Sequence, residues 1–224
     1  MNVTVIIDNN PWLQNSASAN RWLTLINGLS IEKVRLRLLI YGGYLSKNEA
    51  NDWGVKGIKD NIKYKYINTK LIEGYWSLRF NNYIGFPLSQ KKIIKLINNE
   101  IKNENEIVWT DSSIFGFKLA VFLRKKKYTQ KLFLELSEFL DIYSFNKGNI
   151  LQRIKGARTK QYFESSAIYA YNGIAFMTKT LLLHYKSFVK LSPKLLHLPM
   201  TVDLDRFNTY LKPLNEFKIP YVAF

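Results

Sequence analysis

A chain of 224 residues with 47% hydrophobic and 15% aromatic content can bury a sizeable core, which excludes disorder over any long stretch. Its 33 Lys and Arg against 17 Asp and Glu leave a formal charge of +16, which points to anionic partners: a lipid surface, a phosphorylated small molecule or nucleic acid. The absence of Cys excludes disulfides and thiolate metal sites and fits a reducing compartment, and two His, His184 and His197, leave little for a histidine metal site.

The first residues, MNVTVIIDNN, lack a basic n-region and reach Asp8 before an apolar h-region could form, so they do not read as a signal peptide. No apolar run has the length of a bilayer crossing. In chain order, strands are expected at 3–7, 34–41, 62–67, 106–111, 131–137, 173–178 and 194–200. Several are near-continuous apolar runs, as in VTVII and KLFLELS, the pattern of strands covered on both faces of a parallel sheet.

Helical segments fall between them. SASANRWLTLINGL (16–29) opens on Ser and closes on Gly28, 88–104 places Ile93, Ile94, Ile97 and Ile101 at helical spacing, and 112–127 opens on two Ser. Segments 149–172 and 179–189 complete the set, and 44–86 is expected to hold loops or short helices besides the strand at 62–67. The alternation predicts an α/β fold with a doubly wound, mostly parallel sheet. The RKKK run at 124–127 reads as the cationic last turn of a helix, complementing its dipole.

In such a sheet, ligands bind beyond the carboxyl ends of the strands. Asp8, Asp111, Glu135, Glu138, Thr178 and Lys179 fall at those ends. Glu135, inside LFLELS, reads as a structural ion pair or a hydrogen bond to a neighbouring loop at least as readily as a catalyst, because an unpartnered charge in a buried strand is costly. Glu138, past the strand, is better placed to face a ligand. Asp111, Glu138, Thr178 and Lys179 are therefore the candidate cleft residues. At the first strand-to-helix turn, Ser16, Ala17 and Ser18 open a helix whose amide N–H groups suit a phosphate, although a plain cap explains Ser16 equally well. The turn lacks G-x-G-x-x-G, and no Walker A, H-E-x-x-H or G-x-S-x-G occurs.

Nine Lys or Arg but one acid, Glu164, lie between Ile142 and Val202. Tyr162, Phe163, Tyr169 and Tyr171 interleave with them and are expected to face the core. With no nucleic-acid module in view, a basic helix on anionic lipid is the better use of this charge.

Three segments together resemble the N-terminal half of GT-B glycosyltransferases of the group-1 (family 4) class: NSASANRWLTLINGLS (15–30), LFLELSEF (132–139) and the run from NGIAFMTKTLLLHY to KLLHLPMTVDLDRFN (172–208). Many members carry Gly-Gly where Ser16 and Ala17 stand here, and a His near the central strand that this chain lacks; His184 and His197 read as structural. The resemblance implies a Rossmann-like acceptor-side domain over 1–208. It further implies that 209–224 is an interdomain linker and the start of a nucleotide-sugar domain, with Asp203 and Asp205 fixing the turn into the linker and Pro199 stopping the last strand. It implies sugar transfer with retention from a nucleotide-sugar donor to a glycan or lipid-linked acceptor, with no metal and no cofactor and with donor phosphate assisting deprotonation. Ser16 and Ala17 would then lie near the donor diphosphate, and Glu138 and Thr178 on the acceptor side. The implied setting is bacterial polysaccharide assembly, in the cytoplasm at the inner membrane face, and this half alone would be inactive. The alternative is a non-catalytic module holding a phosphorylated or glycan ligand.

Overall fold

The computed structural model describes residues 1–13, 16–42, 51–68, 74–101, 106–126, 130–140, 150–187, 189–190 and 192–199. The expected linker, the end of the 172–208 run and the two aspartates at 203 and 205 lie outside the described residues. One eight-stranded sheet organises the chain: β1 (Asn2–Ile7), β2 (Arg35–Ile40), β3 (Lys56–Lys59), β4 (Ile62–Tyr66), β5 (Glu106–Thr110), β6 (Lys131–Leu136), β7 (Gly173–Phe176) and β8 (Lys194–His197). Its order is β3-β4-β2-β1-β5-β6-β7-β8, parallel throughout except for β3, which runs antiparallel to β4 at one edge. The sheet is of the expected α/β class, with β3 as the strand that the apolar pattern does not reveal.

Six α-helices are described: α1 (Ala17–Ile31), α2 (Tyr75–Phe80), α3 (Phe86–Glu100), α4 (Ile114–Lys125), α5 (Ile150–Tyr162) and α6 (Lys179–Lys186). A π turn over Asn81–Gly85 joins α2 to α3, and a second over Phe163–Ala167 extends α5. Three helices start on a hydroxyl cap that accepts from a backbone amide: Ser16 from Ala19 N at 3.1 Å, Ser113 from Gly116 N at 2.9 Å and Thr178 from Leu181 N at 3.2 Å. Helix α1 does not stop at Gly28 but continues to Ile31, where the Glu32 amide closes it on the Gly28 carbonyl. Helix α4 ends on Arg124 and Lys125, the dipole-complementing turn that the sequence predicts.

Side chains of β1 alternate between two cores, as a pleated strand covered on both faces must. Val3, Val5 and Ile7 pack with Ile26 of α1, whereas Ile6 joins Ile93 and Ile97 of α3, Phe115 and Leu119 of α4 and Leu181 of α6. Among the described helices, α1 therefore covers one face and α3, α4 and α6 the other. Tyr171 and Phe163 are buried and Tyr162 is half-buried as expected, but Tyr169 is exposed, because it stands on the outward side of a short 3-10 turn. Near the amino ends of the strands, Arg37 pairs with Glu106 at 3.1 Å, and Thr4 also donates to Glu106, which accounts for both buried polar groups.

Candidate functional site

Strand order reverses beside β1: β2, which follows β1 in the chain, lies on one side of it, and β5 lies on the other. Because β1, β2 and β5 run parallel, their carboxyl ends share one rim, and the crevice between β1 and β5 is the switch point at which such sheets bind ligands. Three residues leave these ends: Asp8 after β1, Tyr41 after β2 and Asp111 after β5.

Asp111 anchors the cluster. Its Oδ2 accepts from the Tyr41 hydroxyl at 2.7 Å and its Oδ1 from the Ser113 hydroxyl at 2.8 Å. The two hydroxyls lie 3.0 Å apart, and Ser113 Oγ also accepts the Gly116 amide, so the cap that starts α4 is the same side chain that orients the carboxylate. Burial pushes the Asp111 carboxyl up to about 6; the Tyr41 and Ser113 hydrogen bonds oppose that rise, and the negative charge of Asp8 adds to it. Asp8 stands exposed at the rim, with Asn9 donating to its Oδ2 at 3.2 Å. Desolvation by the surrounding rim raises its carboxyl above the ordinary range. Tyr41 is buried; burial, then the charges of Asp111 and Asp8, lift its phenol well above its usual value. It therefore stays protonated and serves as a fixed donor.

Two glycines let the backbone close around these acids. A Cβ on Gly42 would stand 2.4 Å from the Asp8 carbonyl oxygen and 2.5 Å from its Oδ1. One on Gly116 would stand 2.4 Å and 2.6 Å from the same two atoms of Asp111. Each carboxylate thus lies against backbone that has no side chain, where only glycine fits without displacement.

The other expected residues are distributed along the same rim. Ser16 is the cap of α1, with Ala17 and Ser18 exposed in its first turn, at the carboxyl side of β1. Glu138 follows β6 and is exposed; Thr178 and Lys179, also exposed, follow β7, where Thr178 caps α6. Among the described residues, Asp111 is the one expected cleft residue inside the hydrogen-bonded cluster; Glu138, Thr178 and Lys179 take no part in it. Of the readings open to Glu135 the structure shows the ion pair: Arg21 of α1 donates through Nη2 at 2.7 Å and Nε at 2.9 Å, and its Nη2 also lies 3.5 Å from the Leu198 carbonyl. His184 packs edge-on against Phe139 and Tyr185, and its Nε2 lies 3.8 Å from Glu164. Among the described residues, no three His, Cys, Asp or Glu gather in a way that could hold a metal ion.

Tyr41, Ser113, Gly42 and Gly116 are the residues that strand-end reasoning misses. Tyr41 ends an apolar strand run and reads as core. The available signal is the pairing of an acid at a strand end with Ser two residues later, which marks both a cap and a carboxylate partner.

No protein-family model and no curated protein matches this sequence. Similarity appears in solved structures. The apo UGT2 of Phytolacca americana aligns with a TM-score of 0.56 at 8% identity, covering 93% of this chain and 54% of that one. The α,α-trehalose 6-phosphate synthase of Burkholderia multivorans aligns with a TM-score of 0.49 at 9% identity, covering 84% of this chain and 42% of that one. The chain thus spans about half the length of the solved structures it matches. The likeness to UGT2 shows a Rossmann-like fold of the kind found in GT-B proteins.

Proposed function

We propose that this chain is the acceptor-side domain of a GT-B glycosyltransferase, and that Asp8 and Asp111 hold the acceptor hydroxyl. The observation that carries the reading is the carboxylate pair at the β1–β5 switch point, with Asp111 fixed by Tyr41 and Ser113. Ionised carboxylates accept hydrogen bonds from sugar hydroxyls, and a pair on one rim fixes both the position and the direction of an attacking oxygen. The shared fold with UGT2 supports this reading, as does the resemblance of 15–30, 132–139 and 172–208 to group-1 enzymes.

The acceptor oxygen then attacks the anomeric carbon of a nucleotide sugar, and the nucleoside diphosphate leaves with the bonding electrons. The acceptor proton passes to the departing phosphate, which gives retention without an enzymic nucleophile. Ser16, Ala17 and Ser18 present the amino end of α1 to the diphosphate, while Glu138, Thr178 and Lys179 line the acceptor side. Residues 209–224 are the interdomain linker and the start of the nucleotide-sugar domain, and residues 1–224 alone bind acceptor but do not transfer. The acceptor is a glycan or a lipid-linked glycan of bacterial polysaccharide assembly, met in the cytoplasm at the membrane's inner face.

The test is release of nucleoside diphosphate from a panel of nucleotide sugars by the protein carrying its second domain, with glycan and lipid-linked acceptors supplied. Acceptor-dependent release that Asp8→Asn and Asp111→Asn each lower about a hundredfold is expected. Ligand binding by 1–224 with no transfer by the two-domain protein would support a non-catalytic module instead.

A further inference from the structure

Among the described helices the charge is one-sided. Helices α3, α4, α5 and α6 carry twelve Lys and Arg and one acid, Glu100, which is itself paired with Lys65 at 2.7 Å. Helix α1, on the opposite face, carries Arg21 alone, and that charge is spent on Glu135.

The same basic side exposes a row of large apolar residues. Trp76 of α2, Phe80 at its end, Ile84 in the π turn and Leu88 of α3 are 75%, 58%, 46% and 80% exposed. They recur every fourth residue. In an α-helix that spacing drifts by about 40° per step, since four residues overshoot one turn. The wider π turn at Asn81–Gly85 takes up part of that drift, so the row stays on one side of a continuous rod. The inward side of the rod is already committed: Asn81, Ile93, Ile94 and Ile97 are buried, and Phe86 packs against the core. Lys91 and Lys92 continue the outward row one turn beyond Leu88, and Lys95 follows on the next turn.

We propose that this face docks on an anionic lipid bilayer, with Trp76, Phe80, Ile84 and Leu88 entering the boundary between headgroups and acyl chains. An indole, a phenyl ring and two aliphatic side chains beside lysines make the composition of an interfacial helix, whose cations sit among acidic headgroups while the apolar row is removed from water. A duplex would use the cations but offers nothing to bury four apolar side chains. A second copy of this chain would bring two cationic faces together, which like charge opposes. No described helix is long and apolar enough to cross a membrane, so the contact is lateral. Ile150 and Ile154 of α5, exposed beside Arg153 and Lys155, give the basic side a second apolar foothold.

The geometry ties this face to the carboxylate rim. The rod lies in the crossover from β4 to β5, so its amino end stands at the rim where the strands finish. Phe86 stacks on Tyr41 at 5.7 Å, directly behind Asp111. If the transferase reading holds, a lipid-borne acceptor reaches the site from the docked surface; the docking itself does not depend on that reading.

The experiment is flotation of the 224-residue chain with vesicles of phosphatidylcholine alone and of phosphatidylcholine mixed with phosphatidylglycerol, with duplex DNA as a competitor. Recovery with the anionic vesicles, falling as salt rises, is expected. Lys91→Glu with Lys92→Glu weakens partition at least tenfold, and Trp76→Ser with Leu88→Ser weakens it about as much while leaving the melting curve in place. In the unaltered protein, brominated lipid quenches tryptophan emission, and Trp76→Phe removes most of that quenching. Equal recovery with both vesicle types, unchanged flotation of the folded Trp76→Ser/Leu88→Ser variant, absence of quenching, or release from vesicles by equal phosphate in DNA would each overturn the proposal.

Discussion

The phenol of Tyr41 reaches across β1 to donate to Asp111 at 2.7 Å, joining the ends of two strands, β2 and β5, that do not pair with each other. Asp8, at the end of the strand between them, completes the cluster, and its charge raises the Asp111 carboxyl further. Tyr41 thus supplies a hydrogen bond to a half-buried carboxylate and cannot lose its proton there. Tyr41→Phe should therefore cost about 1.5–3 kcal/mol, the usual worth of a hydrogen bond to a charged group. It should also move the Asp111 titration upward, which carbon-detected NMR of the carboxyl would register.

Asp111 makes stability depend on pH in an unusual direction for an acid. Its carboxyl is raised from 3.8 to about 6 by burial, so the folded state holds a proton that the unfolded chain has already released between those values. The protonated form is fully favoured below 3.8, and its contribution is lost as pH rises through 6. Relative to Asp111→Asn, the native protein should lose on the order of 2–3 kcal/mol between about pH 4 and pH 8. Urea unfolding of both proteins at the two pH values measures the difference. A constant gap between them would show that Asp111 is not held in a desolvated site.

The glycines beside the two acids predict the opposite outcome from a third glycine. Gly42→Ala and Gly116→Ala each drive a methyl group to 2.4 Å from a backbone oxygen and should destabilise by about 1–3 kcal/mol while displacing Asp8 or Asp111. Gly28, inside α1, would meet nothing within 4 Å, and Gly28→Ala should stabilise by about 0.5–1 kcal/mol. Thermal melts of the three variants check both signs.

Arg21 and Glu135 form a buried pair with side-chain exposures of 12% and 6%. Arg21→Met alone leaves Glu135 without a cation and should cost about 3–5 kcal/mol, whereas the double replacement Arg21→Met with Glu135→Leu should recover most of that loss. A double-mutant cycle by denaturant unfolding reads the coupling.

Much of this architecture is legible because the strands are covered on both sides. Runs such as VTVII and LRLLI must be apolar when Val5 and Ile6, or Leu38 and Leu39, enter different cores. Strand β3 escapes that logic, since KGIK sits at an edge with Lys56, Ile58 and Lys59 in solvent. The rod from Tyr75 to Phe86 is hard to read for a different reason: its outward side carries Trp76, Phe80 and Ile84 while the buried Asn81 is polar, so the apolar pattern does not mark the face that meets the core. In the site, Asp111 is visible as an acid at a strand end. Tyr41 is not, because a tyrosine closing an apolar run looks the same whether its hydroxyl meets a carboxylate or nothing at all. Strand order also has to be known before Asp8 and Asp111 can be recognised as neighbours, because they stand 103 positions apart in the chain and the switch at β1 brings them together.

The proposal that Asp8 and Asp111 hold the hydroxyl that attacks a nucleotide sugar is tested most directly by acceptor-dependent release of nucleoside diphosphate. The two-domain protein would be assayed across roughly pH 5 to 8 as the native chain, Asp8→Asn and Asp111→Asn. The native rate should fall as pH drops through about 6, and both folded variants should lose about a hundredfold, as expected when a positioned nucleophile is released. Native rates in both variants, with the same pH profile, would contradict the proposal.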